Sequence, residues 1–143
     1  MKTIIGALGV SLLATCALAE GALHKVAIHV NQNDPAVLNM ALNNVQNLNA
    51  YYMAQGDNVE IELVAYGPGL SMFVPGKSPV ADRVSTMGLE MENLKFSACG
   101  NTLAKMSAKA GTEIALMDEA HVVPSGVVRL VELQQQGYAY VRP

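Results

Sequence analysis

The residue types that do chemistry in water are sparse in this chain: two cysteines, three histidines and a thin scatter of carboxylates and lysines. Cys99 is set apart by its surroundings. It ends the apolar run Leu94-Lys95-Phe96-Ser97-Ala98, and the helix-compatible stretch Gly100-Asn101-Thr102-Leu103-Ala104 follows at once. If residues 94–98 form a buried strand, the thiol sits at its carboxyl end, on the rim where open α/β sheets keep their ligand crevices. Gly100, Asn101 and Thr102 then make the first turn of a helix, whose free N–H groups and positive dipole end favour an anion. A thiol so placed ionises more easily than a free one, whose pKa is about 8.5. The plain alternative is a small buried hydrophobe at a strand end, a common fate for free cysteine.

Other chemistries lack their parts. Hydrolytic nucleophilic catalysis needs a base beside the nucleophile and a group that orients the base. His29 and His121 both fall in strand-like stretches, and either is the base a sheet would bring toward Cys99; a strand histidine satisfied by its neighbours is the plainer reading of each. No Gly-x-Ser-x-Gly elbow is present, and no Cys-x-x-Cys, which excludes dithiol exchange within one chain. No pair among His24, His29, His121 and Cys99 stands at a recognised metal-ligand spacing. The glycines of residues 67–76 lack the pattern and the lysine of a phosphate-binding loop. No metal and no cofactor is therefore expected. A single thiolate at a helix start can still attack sulfur, giving a persulfide, a mixed disulfide or, on oxidation, a sulfenic acid. None of these needs a second residue from the same chain.

Residues 1–19 read as a secretory signal: Lys2 gives the positive start, residues 4–13 the apolar core, and Ala17-Leu18-Ala19 the small-residue cleavage pattern. The apolar stretch is shorter than the roughly 20 residues of a membrane span, and no later segment is long and apolar enough either. Leu13-Ala14-Thr15-Cys16 also resembles a lipoprotein signal, but threonine fits poorly before the modified cysteine, so cleavage after Ala19 is preferred to a lipid anchor on Cys16. Cleavage leaves one domain, residues 20–143, of 124 residues (143 less 19), enough for a real core. Cys99 is then the only cysteine: a reactive thiol, an intermolecular bridge or a buried bystander. Losing Lys2 leaves 8 basic against 12 acidic residues, a net charge of −4. A mildly acidic surface without basic clusters argues against nucleic acid and anionic membranes. The expected location is the periplasm.

The elements that must position Cys99 follow from periodicity. Residues 24–31 alternate as a first strand. Asp34-Pro35 starts a helix, Leu38, Leu42, Val45, Leu48 and Tyr52 recur at helical spacing, and Gly56 stops it. Asn39, Asn43, Asn44 and Asn47 read as its solvated face. Residues 59–66 form a second strand. Residues 67–76 are rich in turn formers yet carry Leu70, Met72, Phe73 and Val74, so they are either a lid or partner surface on the carboxyl rim, or a loop tucked into the core. Ser78-Pro79 starts a second helix with Val80, Val84, Met87 and Met91 inward. The third strand delivers Cys99, residues 101–110 form the helix behind it, and Gly111 ends that helix. Ala120–Val123 is a short fourth strand, Val127, Val128, Leu130, Val131 and Leu133 mark an amphipathic helix, and residues 138–141 form a fifth strand. Five strands alternating with four helices demand right-handed crossovers and a mostly parallel sheet with helices on both faces.

Here the residues meet a family. The order of elements, the segment Phe96-Ser97-Ala98-Cys99-Gly100-Asn101-Thr102-Leu103, and the ending from Val122-Val123-Pro124-Ser125-Gly126 to Gly137-Tyr138-Ala139-Tyr140-Val141 resemble the DsrE/DsrF-like family, in its exported and poorly characterised branch. His29-Val30-Asn31 and Gly67-Pro68-Gly69-Leu70 are similar to that branch's first strand and second loop. The resemblance implies a three-layer α/β/α fold with a five-stranded parallel sheet, homo-oligomers, and a persulfide-carrying cysteine at Cys99 that exchanges sulfur with a protein donor or acceptor. Two functions are then in view. One is a sulfur carrier with the N–H groups of Gly100 and Asn101 stabilising the Cys99 thiolate, Thr102 and His29 lining the site, and residues 67–70 at its rim; such a carrier acts once per hop, and a conventional turnover is not implied. The other is a non-enzymatic binding or assembly module, with Phe73 in a subunit interface and Cys99 buried there. A small-ligand sensor using the rim crevice is a third, weaker reading.

Overall fold

Strands with apolar side chains on both faces belong in the middle of a parallel sheet, and residues 61–65 and 96–99, buried throughout, lie there. The computed structural model describes residues 21–143; the expected signal at residues 1–19, with Cys16, lies outside them. Strands β1 (Leu23–Val30), β2 (Asn58–Ala65), β3 (Leu94–Cys99), β4 (Ala120–Val123) and β5 (Ala139–Val141) form one sheet in the order β4-β3-β2-β1-β5. Every neighbouring pair is parallel, in the register Ile28–Leu63–Phe96–Ala120 across four strands. The expected α/β class and five-strand count both hold.

The chain steps from β1 to β2, β3 and β4 in one direction, then returns across the sheet to β5. Right-handed crossovers put the first three helices on one face and the last alone on the other. Helices α1 (Pro35–Ala54), α2 (Ala81–Glu90) and α3 (Gly100–Ala110) cover the main core of Ile28, Leu63, Phe96, Leu38 and Leu42. Helix α4 (Gly126–Gln135) presses Leu130 and Leu133 onto Ala27 and Val64. Because α4 has no helix beside it among the described residues, its other valines stay outside: Val127, Val128 and Val131 are about half exposed, as is Val122 on β4. The apolar stripe read from the sequence is thus wider than the face that packs.

Local chemistry fixes the helix ends. Asp34 Oδ1 accepts the Ala36 N–H at 2.7 Å and Pro35 follows as the first helical residue. The second cap-and-proline reading needs correction. Ser78 Oγ accepts the Val80 N–H at 3.2 Å, closing a turn, and α2 starts only at Ala81 with Val80 at the cap position. The asparagine face also does more than meet water. Arg83 of α2 donates to Asn39 Oδ1 at 2.7 Å, Asn43 Oδ1 at 2.9 Å and Gln46 Oε1 at 3.0 Å, tying α2 to α1.

Residues Gly67–Phe73 form a 3₁₀ helix that decides between lid and core. Leu70, Met72 and Phe73 are fully buried, and the Phe73 ring meets Phe96 edge-on at 5.5 Å between centroids. Gly69 permits this close approach: a Cβ there would lie 2.5 Å from the Val30 carbonyl oxygen. The segment is a core plug, so neither a lid nor a subunit interface through Phe73 survives. Among the described residues no helix is long and apolar enough to cross a membrane.

Candidate functional site

At the carboxyl rim two helices begin side by side, and the Cys99 side chain lies between their first turns. Cys99 is the last residue of β3 and pairs in register with Val123 of β4, so α3 starts directly beyond it. Three residues after Val123, α4 starts at Gly126. Neither helix has a side-chain cap bond or an acid in its first turn. Both positive helix ends therefore face the rim without a counter-charge. The two glycines make the convergence possible. A Cβ on Gly126 would come within 3.0 Å of the Tyr66 side chain and 3.2 Å of Cys99 Cβ, and one on Gly100 within 3.1 Å of the Val123 carbonyl oxygen.

The sulfur is shielded, with Cys99 only 5% exposed. Burial alone pushes the thiol up. The Thr102 hydroxyl and the N–H groups of Gly126, Thr102 and Asn101 face the sulfur and outweigh burial, leaving the thiol below its ordinary range. Cys99, at the cap position of α3, makes no side-chain cap bond, so these donors act on the sulfur by their proximity and dipoles. Thr102 is oriented for the task. Its Oγ1 accepts the Gly67 N–H at 2.9 Å, which leaves its own hydrogen free to donate. The Asn101 N–H also reaches the Pro124 carbonyl at 3.2 Å. Thus Asn101, Thr102 and the loop at Gly67 are brought to Cys99. Gly100 contributes space, and the third backbone donor comes from Gly126.

The histidines are not brought to the thiol. His29 stands on β1 with β2 between it and β3, about 10 Å away at ordinary strand spacing. Its Nδ1 lies 2.6 Å from the Tyr140 hydroxyl, its ring stacks on Tyr66 at 4.7 Å, and its Nε2 is buried without a partner among the described residues. Burial, then the nearby Arg142 charge, hold its pKa below the usual imidazole value. His121 is exposed on β4, level with Ser97. Among the described residues no histidine is brought to Cys99 as a base, and acyl-transfer chemistry of the triad kind has no support. Among the described residues no group of three His, Cys, Asp or Glu is placed to hold a metal ion.

Two parts of the site escaped sequence reasoning. Tyr66 spans the gap between Gly126, beside Cys99, and His29. Beneath α4, Glu62 is 3% exposed and accepts from Ser97 Oγ at 2.6 Å and from Arg129 Nε and Nη2, both at 2.7 Å. Burial pushes the Glu62 carboxyl up, but the Arg129 and Ser97 hydrogen bonds prevail and hold it below the usual range. The available signal was two polar residues on one face of otherwise apolar inner strands.

The same family emerges from comparison. The DsrE/DsrF-like family model matches residues 23–143. The chain belongs to the DsrE/DsrF-like family. Among solved structures this DsrE/DsrF-like chain is similar to MTH1491 of Methanobacterium thermoautotrophicum, described as a protein of unknown function. The two share 32% identity and a TM-score of 0.68 over 84% of this chain and 99% of that one. No curated protein matches the chain. Membership of the DsrE/DsrF-like family points to a role related to sulfur relay, and Cys99 is the described residue with the chemistry for it.

Proposed function

We propose that this protein is an exported sulfur carrier in which Cys99 holds sulfane sulfur as a persulfide. The observation that carries the reading is the thiol seated between two uncapped helix starts, faced by three N–H groups and one hydroxyl. In the loading step the Cys99 thiolate attacks the outer sulfur of a persulfide or polysulfide donor. The donor's S–S bond breaks, its electron pair leaves with the donor thiolate, and Cys99 becomes a persulfide anion. In the unloading step an acceptor thiolate attacks the outer sulfur, and Cys99 returns as thiolate. No oxidant or reductant is consumed. The donors that face Cys99 stabilise the anion in both resting and loaded states. Export and a periplasmic location rest on residues 1–19, and the domain on residues 20–143.

Intact-mass spectrometry of the purified protein before and after inorganic polysulfide tests this reading, with Cys99→Ser as control. A gain of one sulfur mass, reversed by dithiothreitol and absent in the control, is expected. An unchanged mass, with Cys99 titratable only after unfolding, contradicts it.

The assembly-module reading keeps one supporting observation, moved from Phe73 to α4. Val127, Val128 and Val131 expose an apolar stripe beside Val122, and a homo-oligomer would cover it. Val128→Asp should lower the oligomer size in chromatography; an unchanged size counts against this face.

A further inference from the structure

The Glu62–Arg129 pair is an expensive feature for its place in the fold. A carboxylate with 3% exposure needs nearly perfect pairing to repay its desolvation. A guanidinium in the first turn of a helix opposes the helix dipole. Both penalties are met by one geometry: Arg129 offers Nε and Nη2 as a fork at 2.7 Å to the two Glu62 oxygens, and Ser97 Oγ adds a third bond at 2.6 Å. Glu62 belongs to β2, Ser97 to β3 and Arg129 to α4. The three together bolt the start of α4 to the centre of the sheet.

What that start does is visible one residue group away. Gly126 opens α4 against Cys99, where an added Cβ would crowd Cys99 Cβ at 3.2 Å and the Tyr66 side chain at 3.0 Å. Ser125, at the cap position, makes no side-chain bond to hold the first turn. The anchor of this turn is therefore Arg129, whose own N–H reaches the Ser125 carbonyl at 2.9 Å.

We propose that Glu62, Arg129 and Ser97 form a positioning clamp for the thiol site: they hold the first turn of α4 so that the Gly126 N–H faces the Cys99 sulfur. The inference rests on Cys99 acting as a thiolate, as in the sulfur-carrier reading. The titratable groups around the sulfur are few. Tyr66 touches Gly126, with His29 behind it. Lys95, His121 and the clamp itself lie toward the amino end of the same sheet face, and Lys105 follows along α3.

The test is the ultraviolet thiolate absorbance of Cys99 against pH, taken as the difference from Cys99→Ser, in wild type, Glu62→Gln and Arg129→Lys. Direct charge effects and positioning predict opposite signs. Glu62→Gln leaves Arg129 with only the Glu132 carboxylate, at 3.4 Å, and its less neutralised field alone would favour the thiolate and lower the midpoint. Loosening α4 withdraws an N–H and raises it. Arg129→Lys keeps the charge and loses the fork, so a field effect predicts no change. The clamp predicts a midpoint raised by about half to one pH unit in both variants, with a cooperative thermal melt retained. A midpoint unchanged or lowered in either folded variant overturns it. If Glu62→Gln does not fold, Arg129→Lys, on the partner whose side chain is 21% exposed, decides alone. Polysulfide loading is read separately. Sulfur uptake with unshifted midpoints sinks the clamp and spares the carrier; shifted midpoints without uptake do the reverse.

Discussion

Replacing Thr102 by valine removes one hydroxyl and keeps the side-chain shape. That hydroxyl accepts the Gly67 N–H at 2.9 Å and helps hold the Cys99 thiol below its ordinary range. A hydrogen bond to a charged group contributes about 1.5–3 kcal/mol, and one pKa unit corresponds to about 1.36 kcal/mol. A well-formed bond would therefore move the thiol by about one to two units. Cys99 makes no side-chain cap bond, so Thr102→Val should raise the Cys99 midpoint by about one unit, with three backbone donors still in place. The freed Gly67 N–H is half-buried, and losing its partner should cost about 1 kcal/mol of stability. The linkage has a definite sign. The folded thiol titrates below the unfolded one, so its stabilisation is complete above about pH 8.5 and is lost as pH falls through the folded midpoint. The advantage of wild type over Cys99→Ser should accordingly grow with pH, and Thr102→Val should shrink that growth. Thiolate absorbance and chemical denaturation across pH measure both effects, with Thr102→Ser, which keeps the hydroxyl, expected to titrate as wild type. A Thr102→Val midpoint equal to or below that of wild type refutes the reasoning.

Phe73→Ala empties a fully buried site against Phe96 and should destabilise the fold by about 3–5 kcal/mol, read in urea melts; a loss under 1 kcal/mol with a changed oligomer would return Phe73 to an interface role. His29 gives a second pH signature. Its folded pKa lies below the unfolded value of about 6.5, so both states are neutral above that pH. As pH falls further the unfolded chain takes up the proton first, and stability drops until the folded pKa is passed. His29→Gln should lose less stability than wild type between about pH 7 and pH 5; equal losses would place the titration elsewhere.

Strand and helix types were legible because local rules and tertiary demands agree. Val26, Ile28 and Val30 alternate where one strand face meets the main core, and Asp34-Pro35 starts α1 as its chemistry dictates. Gly56 and Gly111 stop helices with positive φ, as glycine allows. The place of Cys99 at a strand end and of Thr102 in the helix start after it was legible for the same reason, since such a junction needs only neighbouring residues to recognise. Other features needed the third dimension. Turn formers in residues 67–76 concealed a 3₁₀ plug, because the burial of Leu70 and Phe73 depends on Phe96 across the fold. Gly126 reaches Cys99 only because β4 lies beside β3. Glu62 and Arg129 stand 67 residues apart, beyond any periodicity. The apolar stripe of α4 gave no sign of which valines the sheet would cover.

The most direct test of the carrier is the unloading step. Protein charged with polysulfide, freed of excess donor and mixed with a low-molecular-weight thiol should lose one sulfur mass. The acceptor should appear as its persulfide in equal amount, and Cys99→Ser should transfer nothing. Sulfur that stays on Cys99 at all acceptor concentrations, or equal transfer from Cys99→Ser, contradicts the account.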